Sequence, residues 1–340
     1  MSEEGRDANR ALSDHASKLL SGSLVWDNHA CLPFEKDRMD RFLPQLLRYS
    51  AAGASIVSLN VGYGTMTLAE HVSAIAAMRA WVAANPDLVG PVATAEDAAA
   101  MRSSGRLGIV FDIEGMAVFG DRPELVGLFY DLGVRWTLIA YNRGNQIGGG
   151  CHDQNTGLTQ LGQRFLDEMA RVGMVVCCSH TAYATVRDVC AYHRQPVILS
   201  HSNPRALCDH PRNVPDDILR AIAATDGVIG LNGIGIFLKR GDTSSRNLAE
   251  HIDYVVQKTG PRHVGLGLDY VFDRDELADI NTDRPDLFPP GYGYDTAFDL
   301  VAPEQYGEIV DALIKLGYTD ADLKAILGGN HLRIAETVWR

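Results

Sequence analysis

The chain has 340 residues, of which 46% are hydrophobic and 22% charged, so it carries ample apolar material for a large globular core. Its formal net charge of −12 argues against a nucleic-acid partner and favours a small molecule, because phosphate binding needs a basic face. No signal-peptide pattern and no apolar run of the ~20 residues that a membrane span needs are visible, so we expect a cytoplasmic protein without a membrane partner. The six cysteines show no framework spacing and are expected to be free thiols.

Short β-branched runs alternate with helix-like stretches along most of the chain. The predicted strands cover residues 24–29, 55–61, 107–114, 135–141, 174–180, 197–201, 228–232 and 263–269. The predicted helices between them cover residues 68–84, 123–132, 161–172, 183–192, 215–224 and 248–259. Near-continuous apolar strands are typical of parallel strands buried on both faces. About eight such units predict an α/β fold of the (β/α)8 TIM-barrel type, with a doubly wound open sheet as the alternative.

The last part of the chain follows a different pattern. Residues 272–297 are rich in Asp, Pro, Gly and Tyr and predict a long irregular loop, after which closing helices are expected over 303–316 and 320–327. We expect one barrel domain over residues 1–340, with C-terminal helices and with residues 1–10 flexible.

Polar residues cluster at one end of the predicted strands. They are Asp27-Asn28-His29, Asp112-Ile113-Glu114, Ser179-His180, Ser200-His201-Ser202 and Asp269. In a barrel the carboxyl ends of all strands converge on one face, so these residues would share a pocket. A lone histidine after a strand is usually a hydrogen-bonded core residue, but three histidines with two carboxylates match the ligand set of zinc or a similar divalent ion.

Other polar residues carry weaker signals. The remaining histidines outside the glycine-rich turn are expected at the surface: His15, His71, His193, His210, His251, His263 and His331. His152 follows that turn, Gly148-Gly149-Gly150. The position of His152 is left open, because the turn is able to form one wall of the pocket. Cys177 and Cys178 are expected to pack in a strand, and the acidic run over residues 273–276 is expected to be a solvated loop.

Several segments occur in an order that resembles the renal (membrane) dipeptidase family of zinc peptidases, within the amidohydrolase-like barrels. They are Asp27-Asn28-His29-Ala30-Cys31-Leu32-Pro33, Ile113-Glu114-Gly115, Gly157-Leu158-Thr159, Ser179-His180, Ser200-His201-Ser202, Arg205-Ala206-Leu207, Arg212-Asn213-Val214-Pro215-Asp216, Gly267-Leu268-Asp269 and Gly328-Gly329-Asn330-His331. The similarity runs from about residue 11 to the end, and the segment over residues 196–216 is its most specific part.

The resemblance implies a two-zinc site that hydrolyses dipeptides or related small amides, and a homodimer. The implied metal ligands are His29, Glu114, His180 and His201. Glu114 would bridge both ions, and Asp269 would carry a proton from the attacking water to the departing amine. Arg212 would bind the terminal carboxylate of the substrate, a task suited to a bidentate guanidinium.

The sequence departs from the family pattern at positions that bear on the chemistry. Cys31 stands where the family has a metal-binding Asp, which leaves open a two-metal site with a thiolate ligand, a site with only the second metal, or a degenerate site. Cys31 itself is then either a ligand or a small buried residue that binds nothing. Tyr141 stands where the family has a substrate-polarising His, and it serves either as a hydrogen-bond donor to a developing oxyanion or as a pocket wall. The run Asp269-Tyr270-Val271-Phe272 lacks the second Asp and the Gly that the family tends to have there.

Three functions are compatible with these residues. The first is a zinc-dependent dipeptidase or amidohydrolase-type hydrolase holding one or two ions. The second is a catalytically altered or non-catalytic relative that binds a small peptide-like ligand or serves only in assembly, and the third is an isomerase or lyase on the same metal face. Retention of Asp269 and Arg212 favours the hydrolase, because a mere binding protein has no need of a proton carrier.

Overall fold

A computed structural model describes residues 12–153 and 156–340 of the chain. The expected flexibility of residues 1–10 concerns a segment outside these described residues and stays a prediction. None of the helices within them is both long and apolar enough to cross a lipid bilayer.

Parallel strands form a closed barrel at the centre of the described structure. The strands are β1 (Trp26–Cys31), β2 (Ile56–Tyr63), β3 (Val89–Pro91), β4 (Leu107–Glu114), β5 (Val134–Leu138), β6 (Val175–Cys177), β7 (Val197–Ile198), β8 (Ile229–Leu231), β9 (Val264–Leu266) and β10 (Tyr270–Val271). Eight of them are hydrogen-bonded in the order β7-β6-β5-β4-β2-β1-β9-β8, while β3 pairs with β4 and β10 with β1. A parallel bridge between Leu199 and Ile229 joins the two ends of this order, and Gly230 N donates to Leu199 O at 2.7 Å. The ring therefore closes, and the fold is a (β/α)8 barrel rather than an open sheet.

Helices surround the barrel. They are α1 (Asp14–Ser21), α2 (Lys36–Phe42), α3 (Leu47–Ala51), α4 (Leu68–Ala84), α5 (Ala95–Ser104), α6 (Leu125–Asp131), α7 (Gln160–Val172), α8 (Tyr183–Tyr192), α9 (Asp216–Ala224), α10 (Ser245–Thr259), α11 (Arg274–Asp283), α12 (Tyr306–Lys315), α13 (Asp320–Lys324) and α14 (Asn330–Val338). Their ends follow local capping rules: the Thr67 side chain and Glu70 form a capping box at the start of α4. Gly173 ends α7 in the left-handed conformation, at φ 87°.

The predicted strands and helices are all present, and the predicted bounds of α4 and α8 are those observed. The apolar periodicity that defines these elements is a local property, which is why sequence alone located them. Cys177 and Cys178 are buried in the core, as expected of packing residues.

The prediction of an irregular loop over residues 272–297 is wrong in part, because α11 occupies its first half. Asp273 caps that helix: its Oδ1 accepts hydrogen bonds from the backbone N–H groups of Asp275 and Glu276, both at 3.2 Å. Its Oδ2 pairs with Arg38 at 2.7 Å, and only 5% of Asp273 is exposed. The acidic run is therefore a helix start with a buried cap residue, Asp273, and not a solvated loop.

The expectation that the remaining histidines lie at the surface is wrong for five of the seven. The buried ones are His71, His193, His210, His251 and His331. A neutral imidazole tolerates burial when one ring nitrogen finds a partner, as His251 Nε2 does by accepting from the Lys239 N–H at 3.1 Å. Burial lowers the pKa of His251 and of His331 to about 4, which keeps both rings neutral at physiological pH.

Closure of the barrel requires a glycine at position 230. A Cβ there would collide with the carbonyl oxygen of Ser200, on the neighbouring strand connection that carries His201. We expect Gly230→Ala to lower the free energy of unfolding by about 1–3 kcal/mol, measured by urea denaturation. Gly127→Ala in α6 is the matched control, because its Cβ would meet no atom closer than 3.7 Å. That control should be neutral or slightly stabilising, and equal losses in both variants would contradict the closure argument.

Candidate metal centre

Six side chains from five strand ends meet above the barrel. His29 and Cys31 lie on β1, Glu114 ends β4, His180 and His201 follow β6 and β7, and Asp269 follows β9. Within the described residues, three sets have ligand atoms that all lie within 4.8 Å of one another: His29 with Cys31 and Glu114, His29 with His201 and Asp269, and Glu114 with His180 and His201. The structure thus brings together every predicted metal-binding residue and Asp269.

His180 and His201 form one half of the centre. Their Nε2 atoms lie 2.9 Å apart, and they approach Glu114 Oε1 at 3.4 and 3.3 Å. The Nδ1 atom of His180 donates to Asn142 Oδ1 at 2.7 Å, and that of His201 is 2.8 Å from Ser200 Oγ. The bond to Asn142 places the His180 proton on Nδ1 and directs the Nε2 lone pair at the centre, which is the tautomer that binds metals.

His29 and Cys31 form the other half. His29 Nδ1 donates to Asp112 Oδ2 at 3.3 Å, so its Nε2 faces Glu114 Oε1 at 3.4 Å and Asp269 Oδ1 at 3.5 Å. Cys31 Sγ lies 3.5 Å from His29 Nε2 and 3.7 Å from Asp269 Oδ1. Burial raises the pKa of the Cys31 thiol well above its ordinary value, so a cation would have to displace its proton.

The electrostatics of the two halves differ. Burial lowers the pKa of His180 and of His201 well below the ordinary imidazole value, so both rings are neutral and able to coordinate. Burial also disfavours a charged His29, but the field of Asp112, Cys31 and Glu114 outweighs it and raises the pKa of that ring.

Glu114 is the anion at the middle of the centre. Burial by itself would raise the pKa of Glu114, yet the neighbouring histidines, His29 first, hold it well below its usual range. Its Oε2 accepts a hydrogen bond from Asn60 Nδ2 at 2.5 Å, which leaves Oε1 to face the three imidazoles. The Nε2 lone pairs of His180 and His201 and the ionised carboxylate of Glu114, aimed at one buried point, fit a divalent cation of the zinc type.

The backbone is strained where these side chains are presented. Asn142, His180 and Asp269 have φ values of 58°, 61° and 57°, and they are three of the five non-glycine residues with positive φ in the described chain. Such conformations cost about 1–3 kcal/mol each and persist where packing over-determines them. Here His180 and Asp269 place their side chains at the centre, and Asn142 holds His180 through its Oδ1.

Five residues orient the candidate ligands: Asn60, Asp112, Asn142, Ser200 and Asn232. Sequence reasoning placed Asp112 and Ser200 in the polar cluster without giving them a role, and it missed the three asparagines. Asn232 Nδ2 donates to Asp269 Oδ2 at 2.8 Å, which fixes the carboxylate whose other oxygen faces His29. All five lie at or just beyond the carboxyl ends of strands, and that position was the one available signal.

A cavity opens above the centre. Its walls include Cys31, Glu114 and His180 and many apolar or aromatic side chains, such as Phe288. Tyr141 is half-buried and stacks on His180, with ring centroids 4.5 Å apart.

Arg212 also lines this cavity and is only 3% exposed. Its Nη2 donates to the His201 carbonyl oxygen at 3.3 Å, while Nε and Nη1 have no hydrogen-bond partner among the described residues. The guanidinium lies 5.2 Å above the Phe237 ring. A buried cation with two unused donors is suited to an anionic group of a ligand.

The glycine-rich turn over residues 148–150 leads to His152. His152 is not among the described residues that line the cavity, but its Nε2 is 2.8 Å from the hydroxyl of Tyr294, which does line it. His152 therefore reaches the cavity through another side chain.

The chain is similar to proteins named as dipeptidases and to one named as an amidohydrolase. The family model "Membrane dipeptidase (Peptidase family M19)" matches residues 25–287. The chain is 31% identical to the dipeptidase aclJ of Aspergillus oryzae over 73% of its own length and 56% of that protein. It is 32% identical to an uncharacterised dipeptidase of Schizosaccharomyces pombe over 66% of its own length and 52% of that protein. The chain thus spans somewhat more than half the length of these curated relatives.

A solved structure covers nearly the whole chain. It is an amidohydrolase from Pseudomonas aeruginosa with 25% sequence identity and a TM-score of 0.86, over 95% of this chain and 99% of that one.

Removing a predicted ligand tests the metal site directly. We expect His201→Ala to lower bound zinc by about one ion per chain, because a tetrahedral site with a missing imidazole loses its closed ligand set. The measurement is elemental analysis after dialysis against trace zinc. His193→Gln, a change at a buried histidine outside the centre, should keep the wild-type stoichiometry. Unchanged metal in His201→Ala would refute the assignment.

Cys31 is tested by a spectroscopic probe that does not depend on activity. Cobalt(II) bound in the half that contains His29 should show a sulfur-to-cobalt charge-transfer band in the near ultraviolet, because a coordinated thiol is deprotonated. Cys31→Ser should abolish the band, and Cys190→Ser should keep it, because Cys190 lies on α8 away from the centre. A cobalt-loaded wild type without the band would show that Cys31 binds no metal.

Proposed function

The chain belongs to the membrane dipeptidase family, peptidase family M19, and from that premise we propose that it is a metal-dependent hydrolase of dipeptides or related small amides. One observation carries the proposal. Three imidazole Nε2 atoms, those of His29, His180 and His201, approach the same carboxylate oxygen of Glu114 at 3.3–3.4 Å. With these histidines, a carboxylate in that position would hold one or two cations.

The residues divide into two ligand sets around Glu114. His180 and His201 would hold one zinc ion, and His29 with Cys31 would hold the other. When bound, such ions supply Lewis acidity toward a carbonyl oxygen and make water acidic enough to attack at neutral pH. The number of ions, one or two, depends on whether the Cys31 thiol binds metal in place of the expected carboxylate.

Asp269 is suited to move the proton of the attacking water. Asn232 holds its Oδ2, while its Oδ1 lies 3.5 Å from His29 Nε2, at the centre and beside the cavity. From there Oδ1 would accept a proton from the water and deliver it to the nitrogen of the departing amine.

Arg212 and Tyr141 would bind the substrate. The unused Nε and Nη1 donors of Arg212 suit the terminal carboxylate of a dipeptide. Burial raises the pKa of Tyr141, so its hydroxyl keeps its proton, and that hydroxyl makes no hydrogen bond to another described residue. We assign it as a donor to the oxygen that gains charge during attack.

The apolar cavity walls favour substrates with apolar side chains. Phe34, Ile236, Phe288 and Phe298 are among them. Burial of such side chains contributes about 25 cal/mol per Å² of apolar surface, which would select them over charged side chains. The cytoplasmic location, the homodimer and the single-domain organisation over residues 1–340 stay predictions.

The deciding experiment measures metal content and hydrolysis with the full chain. Zinc-loaded protein should cleave members of a panel of L,L and L,D dipeptides with apolar residues. Bound metal without turnover of any amide would favour the catalytically altered relative that only binds a peptide-like ligand, and absence of metal would reject the metal-dependent hydrolase.

Asp269→Asn tests the proton transfer. An amide of the same shape cannot accept the proton, so we expect kcat to fall by about 10²–10⁴-fold. The bound metal should be measured alongside, because Asp269 Oδ1 also lies within reach of the centre. A variant with wild-type kcat would remove Asp269 from the mechanism, and loss of metal would instead identify it as a ligand.

A further inference from the structure

Tyr294 places a hydroxyl in the cavity from a segment that follows α11. Its side chain is 6% exposed and lines the cavity, with its ring packed against Phe288 and Phe237 at centroid distances of 5.3 and 6.3 Å. The hydroxyl makes one hydrogen bond within the described residues, at 2.8 Å to His152 Nε2. Its position and rotation are therefore set by His152.

The other ring nitrogen of His152 decides the direction of that hydrogen bond. Nδ1 is buried and has no hydrogen-bond partner among the described residues. If the Tyr294 hydroxyl donated to Nε2, Nδ1 would carry a buried proton without an acceptor, at a cost of about 1–3 kcal/mol. The favoured tautomer has the proton on Nε2, which donates to Tyr294 Oη. The hydroxyl proton of Tyr294 is then free.

The charges around His152 support a neutral ring. Burial, followed by the fields of His210 and Arg212, lowers the pKa of His152 to about 3. The Asp153 carboxylate next to it acts in the opposite direction but is outweighed. A neutral ring has one N–H only, as the direction of the hydrogen bond requires.

His210 and Phe237 join the Tyr294 hydroxyl to Arg212 in one packed group. His210 Nδ1 accepts from the Arg212 backbone N–H at 3.0 Å, and its ring lies 5.6 Å from the Tyr294 ring. The Phe237 ring contacts the Arg212 guanidinium and also packs against the Tyr294 ring. The two donors therefore keep a fixed relation to each other.

Arg212 and Tyr294 face the same cavity with unused donors. There are three such donors: Nε and Nη1 of Arg212 and the hydroxyl of Tyr294. The two oxygens of a carboxylate can accept hydrogen bonds from all three. We propose that Tyr294 binds the terminal carboxylate of the substrate together with Arg212, and that His152 is the positioning residue that orients the Tyr294 hydroxyl. This inference rests on the proposed function.

The test compares Tyr294→Phe on two substrates that differ in charge. For a dipeptide, loss of a hydrogen bond to a carboxylate should raise KM about tenfold or more, with kcat changed less than about threefold. For the matching dipeptide with a C-terminal amide, the same substitution should change KM less than about threefold. Equal effects on both substrates, or none on the dipeptide, would overturn the proposal.

Tyr292→Phe is the matched control. The Tyr292 ring packs on the His152 ring at a centroid distance of 5.1 Å, but Tyr292 is 42% exposed. Its hydroxyl makes no hydrogen bond within the described residues. It should leave both substrates unaffected. A KM rise equal to that of Tyr294→Phe would point to a general loosening of the aromatic group instead.

A double-mutant cycle tests His152. His152→Phe should raise KM for the dipeptide by less than Tyr294→Phe does, and adding it to Tyr294→Phe should cause no further rise, because it acts through that hydroxyl. An additive effect would overturn the positioning role. If the wild-type chain hydrolyses no dipeptide, the proposed function fails first. If it does and Tyr294→Phe behaves as wild type, only this inference fails.

Discussion

The buried carboxylate of Glu114 is the constraint around which the upper half of the barrel is built. An ionised group so deeply buried is costly unless positive charge or hydrogen-bond donors surround it. Three imidazoles approach one of its oxygens, and the amide of Asn60 holds the other. These groups come from β1, from the ends of β2 and β4 and from the turns after β6 and β7. Those elements must therefore keep their positions relative to one another.

A second layer of side chains determines how the ligands face. Asp112, Asn142 and Ser200 each engage the Nδ1 atom of a histidine, so that every Nε2 faces Glu114. The left-handed backbone of His180 and Asn142 is the local cost of this arrangement. These hydrogen bonds fix the orientation of the imidazole rings, so an ion would find its donors already oriented.

Cys31 and Tyr141, where the sequence differs from the pattern that the resemblance leads us to expect, lie on one side of the centre and on the cavity wall. Cys31 belongs to the half that contains His29, while His180 and His201 supply ring nitrogens in the other half. Tyr141 and Tyr294 line the cavity with hydroxyl groups, and the segment with α11 carries part of the apolar wall. In the proposed function, the chemistry of hydrolysis and the recognition of the substrate would thus depend on different parts of the chain.

The sequence by itself determined the barrel, the strands that carry the ligands and the residues that reach the centre. These follow from local periodicity and from the rule that parallel strand ends meet, so His29, Glu114, His180 and His201 could be grouped although they are far apart in the chain. Only the tertiary structure decided which side chains orient them, that His71, His210 and His251 are buried, and that Asp273 starts a helix. It also decided that His152 meets Tyr294, 142 positions away. Burial and hydrogen-bond partnership depend on the neighbours in space, and a local pattern of residues contains no record of those neighbours.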